Sequence, residues 1–483
     1  MNVTAQRLIS PPPGAKPWAL SLHALSVFLL IMAVVFAASL FGILTRPLGF
    51  LAAFWPANAL LLGLFVRVPR LASPWGWLGA VAGYVAADLV SGGQLSLTLW
   101  LTAANLAGVF VGYLLFLRLG ADDRLLRRPQ SVLYLFGICI CVGVATALVG
   151  AGIAPMVFEQ SLLKGVEFWF TTELVNNLIV LPVMLTAPAW PFALLRSART
   201  VRRLQVDLMR LAPLVALLLS LAAAMLVRGP GAITFPIPAL LWCALTYSLF
   251  GAVLLTLGVS VCILIAVSLG VLHTHVPATL AYIDETVSMR LGVVFLALGP
   301  LMVASINAAR NELLRSLDYA ANHDSLTGTL MRRAFISRSD ACIEQQRSKQ
   351  GSVAVLMLDI DHFKRINDGY GHAVGDRALE RFVAAISPVL RAEDLLGRMG
   401  GEEFAVLMPG VSLDSALRIA ERLREQVQHQ QVQLDDGAAL SMTVSIGLHW
   451  QAHAAADLRQ MLLVADQALY QAKAAGRNQT INL

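Results

Sequence analysis

Ten predominantly apolar stretches of about 17 to 26 residues follow one another before residue 310, and nothing else in the chain restricts its fold so much. They run over 22–44, 50–66, 74–92, 96–117, 131–156, 167–188, 208–227, 233–249, 251–272 and 288–307. A helix needs about 20 apolar residues to cross the hydrocarbon layer, and inside that layer only helices and closed barrels satisfy every backbone donor and acceptor. Composition agrees: with 57% hydrophobic and 14% charged residues, too few polar side chains exist to clothe a soluble protein of 483 residues. Phe235 to Leu272 is nearly unbroken, so it is either a hairpin about Gly251 or one overlong helix. The first run is too long for a cleaved signal peptide and reads as a retained span.

The net charge of +6 does not imply nucleic acid, because the arginines cluster in short loops between apolar runs, where they set topology. Ten spans with an inside N-terminus place Arg67 and Arg70, then Arg124, Arg127 and Arg128, then Arg196, Arg199, Arg202 and Arg203 in the cytoplasm. The opposite side keeps Arg46, Lys164, Arg228, Asp284 and Glu285. An even number of spans also puts everything after residue 310 in the cytoplasm. Cys139, Cys141, Cys243 and Cys262 lie in apolar runs and Cys342 is isolated, so no disulfide or metal-ligand pattern is visible.

Residues 305–322 contain strong helix formers without Gly or Pro, and Ile306, Leu313, Leu317 and Ala320 form an apolar seam. This is either a signalling stalk that pairs with a second copy or a connector helix. From His323 onward the pattern is that of an α/β domain of about 160 residues. Strands are expected at 353–360, 404–408 and 440–450, and helices near 332–349, 375–390, 411–429 and 456–474. The expected division is a multi-span membrane domain over 1–304, a stalk over 305–322 and a soluble domain over 323–483.

Two segments of that domain carry chemistry. The apolar strand VAVLML ends in Asp359 and Asp361, which strand alternation points to one face, where they can meet a hard cation. A Gly-rich stretch follows, and Asn367 and Asp376 offer the donor and acceptor groups suited to a purine edge. The second segment, Leu396 to Met408, places Gly400 and Gly401 at a hairpin tip with Glu402 and Glu403 directly after it. Carboxylates from two strand ends can share a metal that neutralises a triphosphate.

Here the chain resembles the GGDEF family of diguanylate cyclases through nearly all of 323–483. The signature hairpin is Gly400-Gly401-Glu402-Glu403-Phe404. Further matches are Asp359-Ile-Asp-His-Phe-Lys364, His323-Asp-Ser-Leu-Thr-Gly328, Thr443-Val-Ser-Ile-Gly447 and the stretch from Ala465 to Asn478. The resemblance implies a mostly antiparallel cyclase-like sheet and the joining of two GTP into cyclic di-GMP. It implies two Mg²⁺ per site, with Mn²⁺ as an alternative, held by Asp359, Glu402 and the Ile360 carbonyl, with Glu403 as an added ligand. Glu402 would also assist removal of the 3′-hydroxyl proton. Asn367 and Asp376 would read guanine. Lys473 and Arg477, four apart on the last helix, would reach phosphates, as would Lys364. One GTP per domain means that a homodimer must place two sites face to face. Arg391-Ala-Glu-Asp394 stands where the family binds its product as an inhibitor, with Arg398 as a further contact; RxxD alone is also a common helix-end pattern. Met331 replaces the Asn usual in the family's entrance motif, which puts local turn packing and signal coupling in question.

The membrane half resembles the MASE-type sensor domains through Phe54-Trp-Pro-Ala-Asn-Ala-Leu-Leu-Leu-Gly63 and the span from Trp169 to Pro182. Buried charge in lipid is costly, so Asp88 and Glu173 face a cavity or a partner helix. With Trp55, Asn58, Asn105, Asn176 and Asn177 they either line a sensory pocket of unknown ligand or act as interhelical glue. The whole reading is a lipid-embedded, multi-pass cyclase of the bacterial inner membrane with its catalytic domain cytoplasmic. The competing readings are a non-catalytic cyclic di-GMP receptor and a transporter with a regulatory domain.

Overall fold

The computed structural model describes residues 17–45, 54–157, 159–188, 208–228, 230–272, 285–434, 439–455 and 457–483. The chain divides into two compact units, Met1–Glu312 and Leu313–Leu483. Among the described residues the apolar stretches form helices: α1 (Pro17–Leu44), α2 (Ala57–Arg67), α3 (Pro74–Val90), α4 (Leu95–Leu117), α5 (Ser131–Gly150), α6 (Leu162–Thr186), α7 (Leu208–Val227), α8 (Pro236–Thr246), α9 (Leu249–Ser268) and α10 (Glu285–Asn322), whose last ten residues belong to the second unit.

Where ten spans are expected ten helices form, and among the described residues seven of them are long and apolar enough to cross a membrane; α3 has 17 residues, α2 and α8 only 11 each. Pro56 stands at the start of α2, and 11 residues reach about 16 Å, roughly half of the hydrocarbon layer. Pro236 likewise starts α8, and Ser248 caps α9 by accepting the Gly251 amide, so the long apolar stretch breaks at Tyr247–Ser248 into two helices. Seven is odd, so sidedness rests on the loop charges and not on parity. Arg46, Arg196, Arg199, Arg202, Arg203 and Asp284 lie outside the described residues.

Two of the described basic residues also close helix ends. Arg67 donates to the carbonyls of Met184, Leu185 and Ala187 at the end of α6, and Arg124 to those of Leu117 and Leu119 beyond α4, where positive charge suits the helix dipole. Of the seven long helices α6 is the central one, with 72% of its span buried against 17–44% for the others.

The second unit is built on the sheet β1-β3-β4-β2-β7-β8, antiparallel in the middle and parallel at both edges. The strands are β1 (Leu330–Met331), β2 (Val353–Ile360), β3 (Leu395–Gly400), β4 (Glu403–Pro409), β7 (Val444–Gln451) and β8 (Thr480–Asn482), with β5 (Gln431–Gln433) and β6 (Ala439–Ser441) forming a separate ribbon. The helices are α11 (Arg332–Ser348), α12 (Phe363–Tyr370), α13 (His372–Ile386), α14 (Leu413–Gln428) and α15 (Leu458–Ala474). The strand expected over 440–450 is therefore two pieces, and α12, β1, β5 and β8 add to the expected elements.

Every residue of β2 is buried, and alternation sends them into two cores. Ala354, Leu356, Leu358 and Ile360 join Phe382 of α13 and Leu423 of α14. Val353, Val355 and Met357 join Phe335 of α11 and Met461, Ala465 and Leu469 of α15. Burial of each large aliphatic or aromatic side chain contributes about 1.5–3 kcal/mol. Gly447 permits the close approach of helix to sheet. A Cβ there would overlap the Ala465 carbonyl and Leu469 amide, so its absence lets α15 lie directly on β7.

Met331 is the N-cap of α11, in extended conformation and with no side-chain cap. Met331→Asn should supply the missing acceptor, stabilise the unit by about 1 kcal/mol and slow exchange of the Arg333 and Ala334 amides several-fold in hydrogen-exchange measurements.

Candidate active site

Parity along β2 places Asp359 on the face that packs α15, and there the Lys473 Nζ stands 2.7 Å from its Oδ2. Asp359 is 7% exposed. Burial pushes its pKa up; the Lys473 ammonium opposes this, while Glu402 and Glu403 add like charge and raise it further. The acids are neighbours because β2 and β4 pair in the register Asp359 to Glu403, and the Ile360 amide approaches the Glu402 carbonyl at 3.4 Å.

The hairpin is anchored from both ends. Gly401 adopts φ +53°, a left-handed turn conformation that costs glycine little. Phe404 is fully buried, its ring centroid 4.7 Å from that of Phe382. On the other arm Arg398 donates to the Gly401 carbonyl at 2.9 Å and to Asp324 Oδ1 at 3.0 Å. Arg398 thus ties the hairpin to the entrance turn, a positioning role beside the product contact expected of it. Burial disfavours the charge on Asp324, but the Thr327 hydroxyl and amide and the Arg398 guanidinium outweigh it, and its pKa sits below the usual carboxylate range.

Asp361 falls on the same side as Asp359, as alternation requires, but its oxygens are taken. They accept from the Thr443 hydroxyl (2.7 Å), the Ser445 hydroxyl (2.7 Å) and the Asn478 amide (3.1 Å). It is a buckle between β2, β7 and the C-terminal turn, a role the sequence motifs contained but did not reveal. Asn367, half-buried on α12, packs so tightly on Gly375 that a Cβ at that glycine would overlap its Oδ1, and Asp376 is exposed beside it. Lys364 is exposed one turn earlier on α12.

Arg477 departs from expectation. Helix α15 ends at Ala474, Gly476 has φ +116° and Arg477 itself φ +65°, so the two basic residues do not share a helical face. At the product-site motif the Asp394 carboxylate accepts the Arg391 amide at 2.8 Å, a tight turn that leaves the Arg391 side chain exposed. Burial raises the Asp394 pKa against the opposing Arg391 amide.

Among the described residues no three His, Cys, Asp or Glu side chains converge as a ready-made metal cage. The donor set nevertheless fits Mg²⁺, which commonly takes one or two protein carboxylates and completes its shell with substrate phosphate and water. Mutually repelling carboxylates with an ammonium held on one of them show where a cation is wanted.

In the first unit Glu173 of α6 accepts from Asn58 Nδ2 at 2.7 Å and from Asn177 Nδ2 at 3.0 Å. Asn58 also donates to Asn105 and accepts from the Tyr84 hydroxyl. The Asn176 Oδ1 accepts the Trp55 amide, and Asp88 accepts the Thr98 hydroxyl. Trp55, Asp88 and Glu173 line one cavity, with Asn58 bonded to four of its lining side chains, Trp55, Tyr84, Asn105 and Glu173.

Fold and site together define a cyclase of the GGDEF class. The family model described as "Diguanylate cyclase, GGDEF domain" matches residues 321–479. The chain belongs to that family. It is 30% identical over 437 residues to the "Probable diguanylate cyclase DgcF" of Escherichia coli O157:H7, covering 89% of both chains. The protein of the same name in Escherichia coli K12 is 32% identical over 316 residues, 65% of this chain and 96% of that one. The "Response regulator PleD" of Caulobacter vibrioides is 40% identical over 173 residues, 36% of this chain and 38% of its own.

Asp324 contributes stability while ionised: in full above about pH 4, its ordinary range, and lost as pH falls through its lowered pKa. Arg398→Met should move that pKa back toward the ordinary value, so acid unfolding followed by circular dichroism should begin at higher pH.

Proposed function

We propose that this protein is a multi-pass inner-membrane enzyme whose cytoplasmic C-terminal unit joins two GTP into cyclic di-GMP and pyrophosphate, under control of its helical N-terminal unit. The juxtaposition of Asp359 with Lys473 and the Glu402–Glu403 hairpin carries the reading. Asp359, the Ile360 carbonyl, Glu402 and Glu403 would hold Mg²⁺, or Mn²⁺ in its place, which supplies positive charge against the triphosphate. Glu402 receives the proton of the 3′-hydroxyl that attacks the other nucleotide's α-phosphate. Asn367 and Asp376 orient guanine; Lys364, Lys473 and Arg477 meet phosphates.

Two sites must face each other, so the enzyme acts as a homodimer. In support, Ile306, Leu313 and Leu317 on α10 stay 47–59% exposed in the single chain, an apolar seam for a second copy. Apolar side chains as exposed as Leu148 (77%) and Leu226 (82%) support a lipid surround for the helical unit. The functional division follows 1–304 as a MASE-type sensor, 305–322 as stalk and 323–483 as cyclase. Exposed Arg391, held by the Asp394 turn, supports product binding as feedback.

Full-length protein in nanodiscs should convert GTP to cyclic di-GMP with Mg²⁺, and Glu402→Gln should lower turnover at least ~100-fold with the fold retained. No product from a verified dimer would leave a receptor instead. Arg391→Ala should relieve inhibition by added product, and an unchanged inhibition curve would remove the feedback site.

A further inference from the structure

The cavity of the helical unit lies outside the cyclase machinery. It offers about 70 Å³ to water-sized groups, room for roughly five waters or a ligand of similar size. Its walls carry four aromatic rings, Trp55, Tyr84, Phe168 and Trp169, and two carboxylates, Asp88 and Glu173. Among the described residues no Lys, Arg or His lines it. A basic group does stand behind the wall: the Arg290 guanidinium carbon lies 4.1 Å from the Phe168 ring centroid.

Glu173 is 3% exposed, and the two amides that reach it both donate, so no positive charge among its hydrogen-bond partners answers the carboxylate. Asn58 is fixed in that sense because its own oxygen accepts from the Tyr84 hydroxyl at 2.6 Å and the Trp55 indole at 3.3 Å. A separate sign of a missing occupant is Ser39: it lines the cavity, is 1% exposed, and its hydroxyl has no hydrogen-bond partner among the described residues. Buried polar groups in proteins are otherwise nearly always paired.

We infer that this cavity binds a small organic cation, an alkylammonium whose charge sits by the two carboxylates and whose carbons lie on the ring faces. Ring faces are negative at their centre and attract ammonium groups, more so where water is excluded. An anion would meet two carboxylates, and a neutral ligand would leave them with hydrogen bonds but no opposite charge in the cavity lining. The inference names the ligand class for the sensory role proposed above, yet binding can be read without turnover.

Isothermal titration of the full chain in zwitterionic nanodiscs with choline, tetramethylammonium and ethylammonium tests it. The control is 3,3-dimethyl-1-butanol, which has the shape of choline without its charge. At least one ammonium should bind ten-fold or more tightly than the neutral alcohol. Asp88→Asn and Glu173→Gln should each weaken it ten-fold or more; if Glu173→Gln fails to fold, Asp88→Asn carries the test. Equal binding of the alcohol, no binding by any of the three cations, or unchanged affinity in a folded variant would overturn the cation site. Loss of cyclase turnover with cation binding retained would instead overturn the enzymatic reading alone.

Discussion

Strand β2 is held by hydrogen bonds on both edges and by packing on both faces, and the rest of the catalytic unit depends on that confinement. With every residue buried, its register against β4 and β7 cannot slip by one position without driving one core's side chains into the other. The carboxylate at its end is therefore delivered to one place, beside Lys473 and the acidic hairpin. Charge that would be unfavourable in isolation is tolerated there because the strand's burial outweighs it.

Around that strand the motif residues divide into those that offer chemistry and those that hold the offer still. Asp361 spends its acceptors on Thr443, Ser445 and the Asn478 amide. Arg398 joins the hairpin carbonyl at Gly401 to Asp324 in the turn that follows α10. The Tyr319 and His323 rings stack at that same junction, with centroids 4.1 Å apart. The end of α10 is thus linked to the hairpin by a short set of contacts through His323, Asp324 and Arg398. In the helical unit α6 plays the part of β2: it is the buried element against which the others are ordered, and Glu173 sits on it.

Much of this is legible in the residues alone. Apolar length implies helices, and strand alternation implies the side to which Asp359 turns. That Asp88 and Glu173 turn from lipid was legible because lipid permits few other places for a buried acid, but the sequence left cavity and interhelical contact as alternatives, and the two residues line one cavity with Trp55. The failures share a cause. Pro56 and Pro236 shorten helices that hydropathy averages over, and Gly476 ends α15 before Arg477 can share its face. Periodicity counts residues; it does not see a single backbone turn.

What the sequence by itself determined is therefore the class of each half and the identity of the reactive groups, because these follow from local composition, strand alternation and the order of motifs. Only the tertiary structure decided which of those groups are already engaged: Arg398 by Asp324, Asp361 by three donors and Asp359 by Lys473. The physical reason is that hydrogen bonding saturates. A side chain's chemistry is written in its residue type, but its availability depends on partners as far as 117 positions away along the chain, as Asn478 is from Asp361.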